Sequence, residues 1–338
     1  MNPLVSILIP AYNAENWIPY TIQSALDQTW PNKEIIVVND GSTDKTAEMA
    51  SHFSAKNVKI VSTENRGLPS AVNYAYQLSQ GDYIQELDAD DLLAPDKIEK
   101  QLSALRETDS KRTLLSGPWA YFYYRTSRAN FVRNSLWEDL SPVEWLLRKL
   151  GDNLHMQNAT WLVSRELAEA AGPWDAHLQY DQDGEYFARV LLASEGTRFV
   201  PDARIYYRAC STNRISYIGN SDVKRDSLLR SMKLHIQYLR SLENSERVRK
   251  ACVNYIQNWY PVFHPERPDI LDELQGLARE FGGELRKPQM RRRYALIKAI
   301  FGLHAAKMTQ TALAEGRNSL ARRWDKVMFE QESRAAGR

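Results

Sequence analysis

Tyr83-Ile84-Gln85-Glu86-Leu87-Asp88-Ala89-Asp90-Asp91 is a short strand-like run that ends in three carboxylates within four positions. Acidic groups this close repel one another and lose hydration on burial, so the cluster is tolerable only beside a cation or in water. Hard divalent cations such as Mg²⁺ and Mn²⁺ take carboxylate oxygens. Mg²⁺ characteristically uses one or two of them and leaves its other positions to water and substrate phosphates. A phosphorylated ligand is therefore implied. An Asp-x-Asp triplet arises by chance roughly once in a chain of this size, and Asp181-Gln182-Asp183 is a second one. What sets Asp88 and Asp90 apart is the order of the elements before them.

Working back from Asp88, β-rich runs at Asp82–Leu87, Val58–Ser62, Glu34–Asn39 and Leu4–Ile9 alternate with helical patterns at Pro69–Gln80, Thr43–Phe53 and Trp17–Gln28. The run Ile35-Ile36-Val37-Val38 is continuously apolar, as expected of a parallel strand covered on both faces by crossover helices. The pattern predicts a doubly wound α/β sheet, whose ligands bind beyond the carboxyl ends of the strands. Those ends carry Pro10-Ala11-Tyr12-Asn13, Asp40-Gly41-Ser42-Thr43-Asp44, Glu64-Asn65-Arg66-Gly67 and Asp88-Ala89-Asp90, all polar turns on one rim. No G-x-G-x-x-G follows the first strand and no G-x-x-x-x-G-K-[ST] occurs, which removes the dinucleotide dehydrogenase and P-loop readings. A diphosphate on this rim would need a bound cation in place of a glycine cradle.

The bulk numbers agree with a globular protein: 338 residues, 43% hydrophobic, 25% charged, net charge +2. That charge carries no nucleic-acid signature. The two cysteines, Cys210 and Cys252, form no disulfide framework and lack zinc-site spacing, which fits a reducing, cytoplasmic setting. The apolar run at the N-terminus stops at Pro10 without a basic lead, so no secretory signal is expected. No run approaches the roughly 18 apolar residues of a membrane span.

Further along, Pro95–Thr108 reads as a helix and an aromatic stretch follows at Trp119, Tyr121, Phe122, Tyr123 and Tyr124. Asp183–Ala193 is predicted as a helix, with strands near Thr197–Val200 and Arg204–Tyr207. The first domain is expected to cover residues 1–216, with halves at about 1–110 and 111–216.

Taken together, Val5-Ser6-Ile7-Leu8-Ile9-Pro10-Ala11-Tyr12-Asn13, Val37-Val38-Asn39-Asp40-Gly41-Ser42-Thr43-Asp44, Asn65-Arg66-Gly67 and Gly81-Asp82-Tyr83-Ile84 with Asp88-Ala89-Asp90-Asp91 resemble, in order, the motifs of the inverting glycosyltransferases of family 2. Ala171-Gly172-Pro173-Trp174-Asp175 and Gln182-Asp183-Gly184-Glu185 resemble that family's acceptor-side motif. The resemblance implies the GT-A fold: a Rossmann-like, mixed, mainly parallel sheet with helices on both faces, here followed by a C-terminal helical region.

It also implies that Pro10, Ala11 and Tyr12 line a nucleotide-base pocket. Tyr12 would stack on the ring and Asp40 would accept its N–H. Arg66, Asp88 and Ala89 would complete the nucleotide-sugar site, Asp90 would bind Mn²⁺ or Mg²⁺, and Asp183 would be the general base. Inversion at an anomeric carbon needs a carboxylate opposite the departing nucleoside diphosphate. The competing structural readings are that Tyr12 packs, that Asp40 and Asp183 cap helices, that Asp44 is a first-turn charge stabilising its helix dipole, and that Asp91 caps the following turn. Trp174 and Gln182 are candidates on the acceptor side. Gln182 stands where the family usually has Glu, and Cys210 stands where Tyr207-Arg208-Ala209-Cys210 would otherwise end in a histidine ligand; a thiol suits Mg²⁺ poorly.

Residues 217–338 read as helices at Asp222–Ser241, Glu246–Tyr260, Ile270–Phe281, Met290–Ala306 and Leu320–Gln331, with a break over Pro261–Pro268. Arg286, Lys287 and Arg291–Arg293 lead into Tyr294–Leu303, a basic amphipathic stretch. Such a stretch suits either peripheral contact with the inner face of an anionic membrane or self-association through the C-terminal helices.

The expected function is transfer of a sugar from a UDP- or dTDP-sugar donor to a hydroxyl of a glycan or lipid-linked acceptor in surface polysaccharide synthesis. The rival readings are a nucleotidyltransferase, which needs a glycine- and lysine-rich loop absent after the first strand, and a non-catalytic sugar-nucleotide-binding protein.

Overall fold

The computed structural model describes residues 2–105, 110–209, 218–219, 221–288, 319–332 and 334–335. The first half runs β1 (Val5–Ala11), α1 (Ile18–Leu26), β2 (Lys33–Asp40), α2 (Thr46–Ser51), β3 (Val58–Thr63), α3 (Leu68–Leu78), β4 (Tyr83–Glu86), β5 (Leu92–Leu93) and α4 (Lys97–Leu105). Then come β6 (Thr113–Ser116), β7 (Trp119–Phe122), α5 (Pro142–Gly151), β8 (Val163–Ser164), α6 (Arg165–Ala171), α7 (Gln182–Ala193), β9 (Gly196–Phe199) and β10 (Ile205–Arg208). Helices α8 (Asp222–Leu242), α9 (Glu246–Phe263) and α10 (Pro268–Glu280) follow, and residues 319–332 are helical.

The main sheet has the order β3-β2-β1-β4-β8, parallel except for β8, which runs antiparallel to β4. Two small sheets, β5-β10-β7 and β6-β9, extend it on the β4 side. Strand alternation assigns the faces. Ile7, Ile9 and Val37 pack with Ile18 and Ile22 of α1, while Leu8, Ile36, Val38 and Ile84 pack with Ala71, Val72 and Ala75 of α3. Both faces of β1 are buried along its whole length, which is why its apolar run is unbroken.

Pro10 lies in this central strand without cost. Tyr83 N–H donates to the Leu4 carbonyl and Leu87 N–H to the Leu8 carbonyl, so even-numbered residues of β1 face β4. The β1–β4 register stops at Leu8↔Glu86, leaving the missing donor of Pro10 beyond the ladder, where the chain turns off towards Asp88.

Beyond α4 the chain departs from the sequence reading in two places. Helices α5 and α6 occupy a stretch with no helix marked, each started by a serine: Ser141 Oγ accepts from Glu144 N–H and Ser164 Oγ from Leu167 N–H. The break expected to begin at Pro261 begins after Phe263, because a proline in the last turn forfeits a single helical bond. The core around α3 also continues without interruption into the C-terminal helices. Trp161, Trp174 and Phe187 share it with Leu228 and Met232 of α8, Ile256 and Tyr260 of α9 and Leu274 of α10.

The helical segment 319–332 docks on the first half of the chain. Arg125 Nε donates to Asp325 Oδ1 at 2.7 Å, the Tyr124 N–H donates to Asp325 Oδ2 at 2.9 Å, and Phe329 packs on Tyr20 and Tyr124. Ser216, Cys210 and most of the basic stretch, residues 289–303, lie outside the described residues. Among the described residues no helix is long and apolar enough to cross a membrane.

Candidate active site

The carboxyl ends of β1, β2 and β3 form a rim whose loops are fastened to each other by side chains. Asn13 Oδ1 accepts the Thr43 N–H at 2.9 Å, and Ser42 Oγ accepts the Asn13 N–H at 3.0 Å. Asp40, almost fully buried, accepts the Arg66 N–H on one oxygen at 2.9 Å and the Gly67 N–H on the other at 2.8 Å. Gly41 sits at φ +66°, and a Cβ there would come 2.5 Å from the Asn65 nitrogen, so only glycine allows the two loops to approach so closely. Asp44 accepts from the Glu15 and Thr46 N–H groups, which makes it a pin between loops more than a helix-dipole charge.

Pro10 and Ala11 are buried at the end of β1, and Tyr12 beside them is 49% exposed, leaving its ring free for a planar partner. The Arg66 side chain extends into solvent.

At the end of β4 the three aspartates have different surroundings. Asp91 is fully buried: one oxygen accepts the Arg208 N–H at 2.8 Å and the other accepts from Gln157 Nε2 at 2.6 Å. Arg208 donates to the Asp90 carbonyl at 2.7 Å and is held between the rings of Trp17 and Phe122, 4.2 and 4.3 Å from their centres. The Thr21 hydroxyl lies 2.9 Å from the carbonyl oxygens of both Ala89 and Asp91. Asp91 is thus an internal bolt, not a cap for the next turn. Its fixed neighbours leave Asp88 and Asp90, both half-buried, on the accessible side. Burial first, then the charges of Asp90 and Asp183, push the Asp88 carboxyl up to about 7.

Asp183 occupies the first turn of α7 and is half-buried. Burial and the charge of Asp181 push its carboxyl up to about 6, opposed by Lys149 and the Gly184 N–H. Its charge in turn acts on Asp88 and on Glu86, whose carboxyl burial drives well above the usual range. The acid cluster at the end of β4 and the start of α7 are therefore near enough in space for the charge of Asp183 to act on the cluster.

The turn carrying Asp183 is unusual and is gripped from outside. Asp181 takes a left-handed conformation (φ 56°), and a Cβ on Gly184 would come 2.2 Å from Asp181 Oδ1. Ser231 of α8 donates to Asp181 Oδ2. Ser227 Oγ accepts the N–H groups of Gln179 and Tyr180 at 2.9 and 3.0 Å and donates to the Tyr180 carbonyl at 2.9 Å. Tyr238 Oη donates to Glu185 at 2.7 Å.

Gln182 is buried, 4% exposed, beneath this turn. Trp174, also 4% exposed, stacks on Tyr186 with ring centres 4.7 Å apart, and its backbone N–H and carbonyl both bond to the Asn73 side chain. The placement of both residues is that of packing groups. Sequence reasoning passed over Gln157, Glu86 and the serines of α8. Glu86 carried a signal, since paired polar residues Gln85-Glu86 interrupt a strand buried on both faces.

Residues 6–169 match the model of Glycosyl transferase family 2. Over that stretch, just under half of the chain, the sequence is similar to that family. An uncharacterized glycosyltransferase of Rickettsia typhi, RT0329, is 35% identical over 193 residues, covering 57% of this chain and 60% of that protein. One from Haemophilus influenzae is 45% identical over 167 residues, covering 48% of this chain and 63% of that protein. The chain thus spans less than two thirds of the length of these curated relatives.

Chondroitin synthase of Pasteurella multocida is 48% identical over 99 residues, 29% of this chain and 10% of the synthase. Among solved structures, residues 1–349 of TarS from S. aureus, crystallised with UDP-GlcNAc, superpose with a TM-score of 0.66 at 17% identity over 82% of this chain and 80% of theirs. That likeness establishes the fold, GT-A.

Among the described residues no three Asp, Glu, His or Cys groups converge as a metal cage. The oxygen donors of Asp90 and neighbouring Asp88 do fit a hard cation that takes one or two carboxylates and draws its remaining ligands from a diphosphate and water. The repulsion that lifts Asp88 is what such an ion offsets.

Proposed function

We propose that this protein is a cation-assisted, inverting glycosyltransferase that moves a sugar from a UDP- or dTDP-sugar to a hydroxyl of a glycan or lipid-linked acceptor in surface polysaccharide synthesis. The observation that carries the reading is electrostatic. The charge of Asp183 reaches Asp88 although the two arise from distant parts of the chain, which supports a cleft with the acid cluster on one wall and Asp183 on the other. The relatives' printed functions and the UDP-GlcNAc held by TarS support it.

In this reading the nucleotide base lies on the Tyr12 ring. Asp40, already fixed by two backbone donors, retains free lone pairs for the base N–H. The exposed Arg66 guanidinium meets the diphosphate. Asp88 orients the ribose, and Asp90 would hold Mn²⁺ or Mg²⁺, which supplies charge neutralisation for the leaving diphosphate. Asp183 takes the proton of the acceptor hydroxyl as its oxygen attacks the anomeric carbon from the face opposite the nucleotide, giving inversion. Its pKa, raised to about 6, leaves it ionised near neutral pH yet more basic than an ordinary carboxylate.

The test is a thermal-shift panel of sugar nucleotides with Mn²⁺, followed by proton NMR of the transferred linkage. Bound well above its dissociation constant, the true donor stabilises the fold by a few kcal/mol. Failure of every sugar nucleotide to bind, or a product with retained anomeric configuration, would overturn the proposal.

A further inference from the structure

Behind the catalytic wall lies a second cavity of about 340 Å³, between the sheet, α3, α6 and α7. This volume falls within the range of small-molecule sites, which begins at about 300 Å³. Aromatic side chains dominate its wall: Tyr76, Trp161, Trp174, Tyr186 and Phe187. Asn73, Gln77, Glu169 and Gly172 also line it. On the wall formed by the sheet the lining includes Glu86, which is 5% exposed and whose Oε1 has no hydrogen-bond partner among the described residues. Among the described residues no lysine, arginine or histidine lines the space.

A buried acidic group left without a partner is costly in a fold unless something brings it one. The lining favours one kind of partner. Arg165 lies over the Tyr76 ring at 5.0 Å and Arg189 over the Tyr186 ring at 5.5 Å, so two of these rings already attract cations, and the cavity holds none of its own.

We propose that this cavity is a binding site for a small organic cation, an aryl or alkyl body carrying one primary ammonium group that meets Glu86. The apolar body replaces contacts missing between the aromatic rings, and the ammonium donates to the orphaned Oε1. Trp174 and Tyr186, which pack against each other, would form one side of the box.

The site is distinct from the donor rim, and it is tested by binding alone, independently of transferase activity. Phenethylamine serves as the probe and phenethyl alcohol, of the same shape without charge, as its control, both followed by calorimetry and ligand-observed NMR. The amine is expected to bind about tenfold or more tighter than the alcohol. Glu86→Gln should abolish that preference, and Ala168→Leu, which fills the cavity from α6, should weaken both ligands. Equal binding of amine and alcohol to the unmodified protein, no binding of either, or an undiminished amine preference in Glu86→Gln would overturn the proposal. The comparison within the unmodified protein holds even where a variant fails to fold.

Discussion

On the donor side of the cleft, loops from neighbouring strands fasten one another: Asn13 holds Thr43, and Asp40 holds Arg66 and Gly67. On the opposite side, the turn bearing Asp183 is fastened by α8, through Ser227 and Ser231, residues well outside the matched domain. The rim carries its own supports within the sheet, whereas Asp183, the proposed base, sits on a turn held by a helix added later in the chain. Substrate binding and chemistry should therefore be separable by mutation.

The largest effect is expected from Asp183→Asn. Transfer should fall by roughly 10²–10⁴-fold, the usual contribution of a general base, while calorimetry with UDP and Mn²⁺ gives an unchanged affinity. Normal turnover by this variant would sink the mechanism. Asp90→Ala should do the reverse, weakening Mn²⁺-dependent UDP binding by roughly a hundredfold, about 3 kcal/mol for a lost charged contact.

The supports themselves supply a finer contrast. Asp40→Ala frees the Arg66–Gly67 turn and should raise the donor KM more than it lowers kcat. Ser227→Ala strips two backbone N–H groups of their acceptor and should lower kcat by about tenfold with donor KM unchanged. Its stability loss, read by urea denaturation, should be about 1–3 kcal/mol. If both substitutions act on the same kinetic constant, the two sides are not independent.

The mildest perturbation is pH. Asp183 must be ionised to accept a proton, so kcat should be constant above neutrality and decline as pH falls through about 6, with roughly half the rate left at that midpoint. Asp183→Asn should abolish that limb from the residual rate.

The difference between the two sides also explains what the sequence could reveal. The parallel strands are legible because each is apolar on both faces, and the turn residues at their ends announce the rim. Ser141-Pro142-Val143-Glu144 opens α5 with a recognisable start signal, a serine followed three residues later by glutamate, and it went unread amid the irregular aromatic stretch. The grip of Ser227 on Gln179 and Tyr180 leaves no local trace. A serine on an otherwise mixed helix is ordinary, and only tertiary packing shows that it faces a turn of the preceding segment. Gln157 is similarly silent, since its partners Asp88 and Asp91 lie far off in the chain.

The docking of residues 319–332 on Tyr124 and Arg125 bears on how the molecule is made. Tyr123, next in line, lends its carbonyl to Arg208, the cation that also holds the Asp90 carbonyl. Chains emerge from the ribosome amino end first. A nascent molecule can wind its parallel strands early, but the wall around Trp17 and Arg208 gains its last neighbour only once Asp325 and Phe329 have been synthesised. Seating of the loop after β7 thereby waits for residues about 200 positions further along the chain.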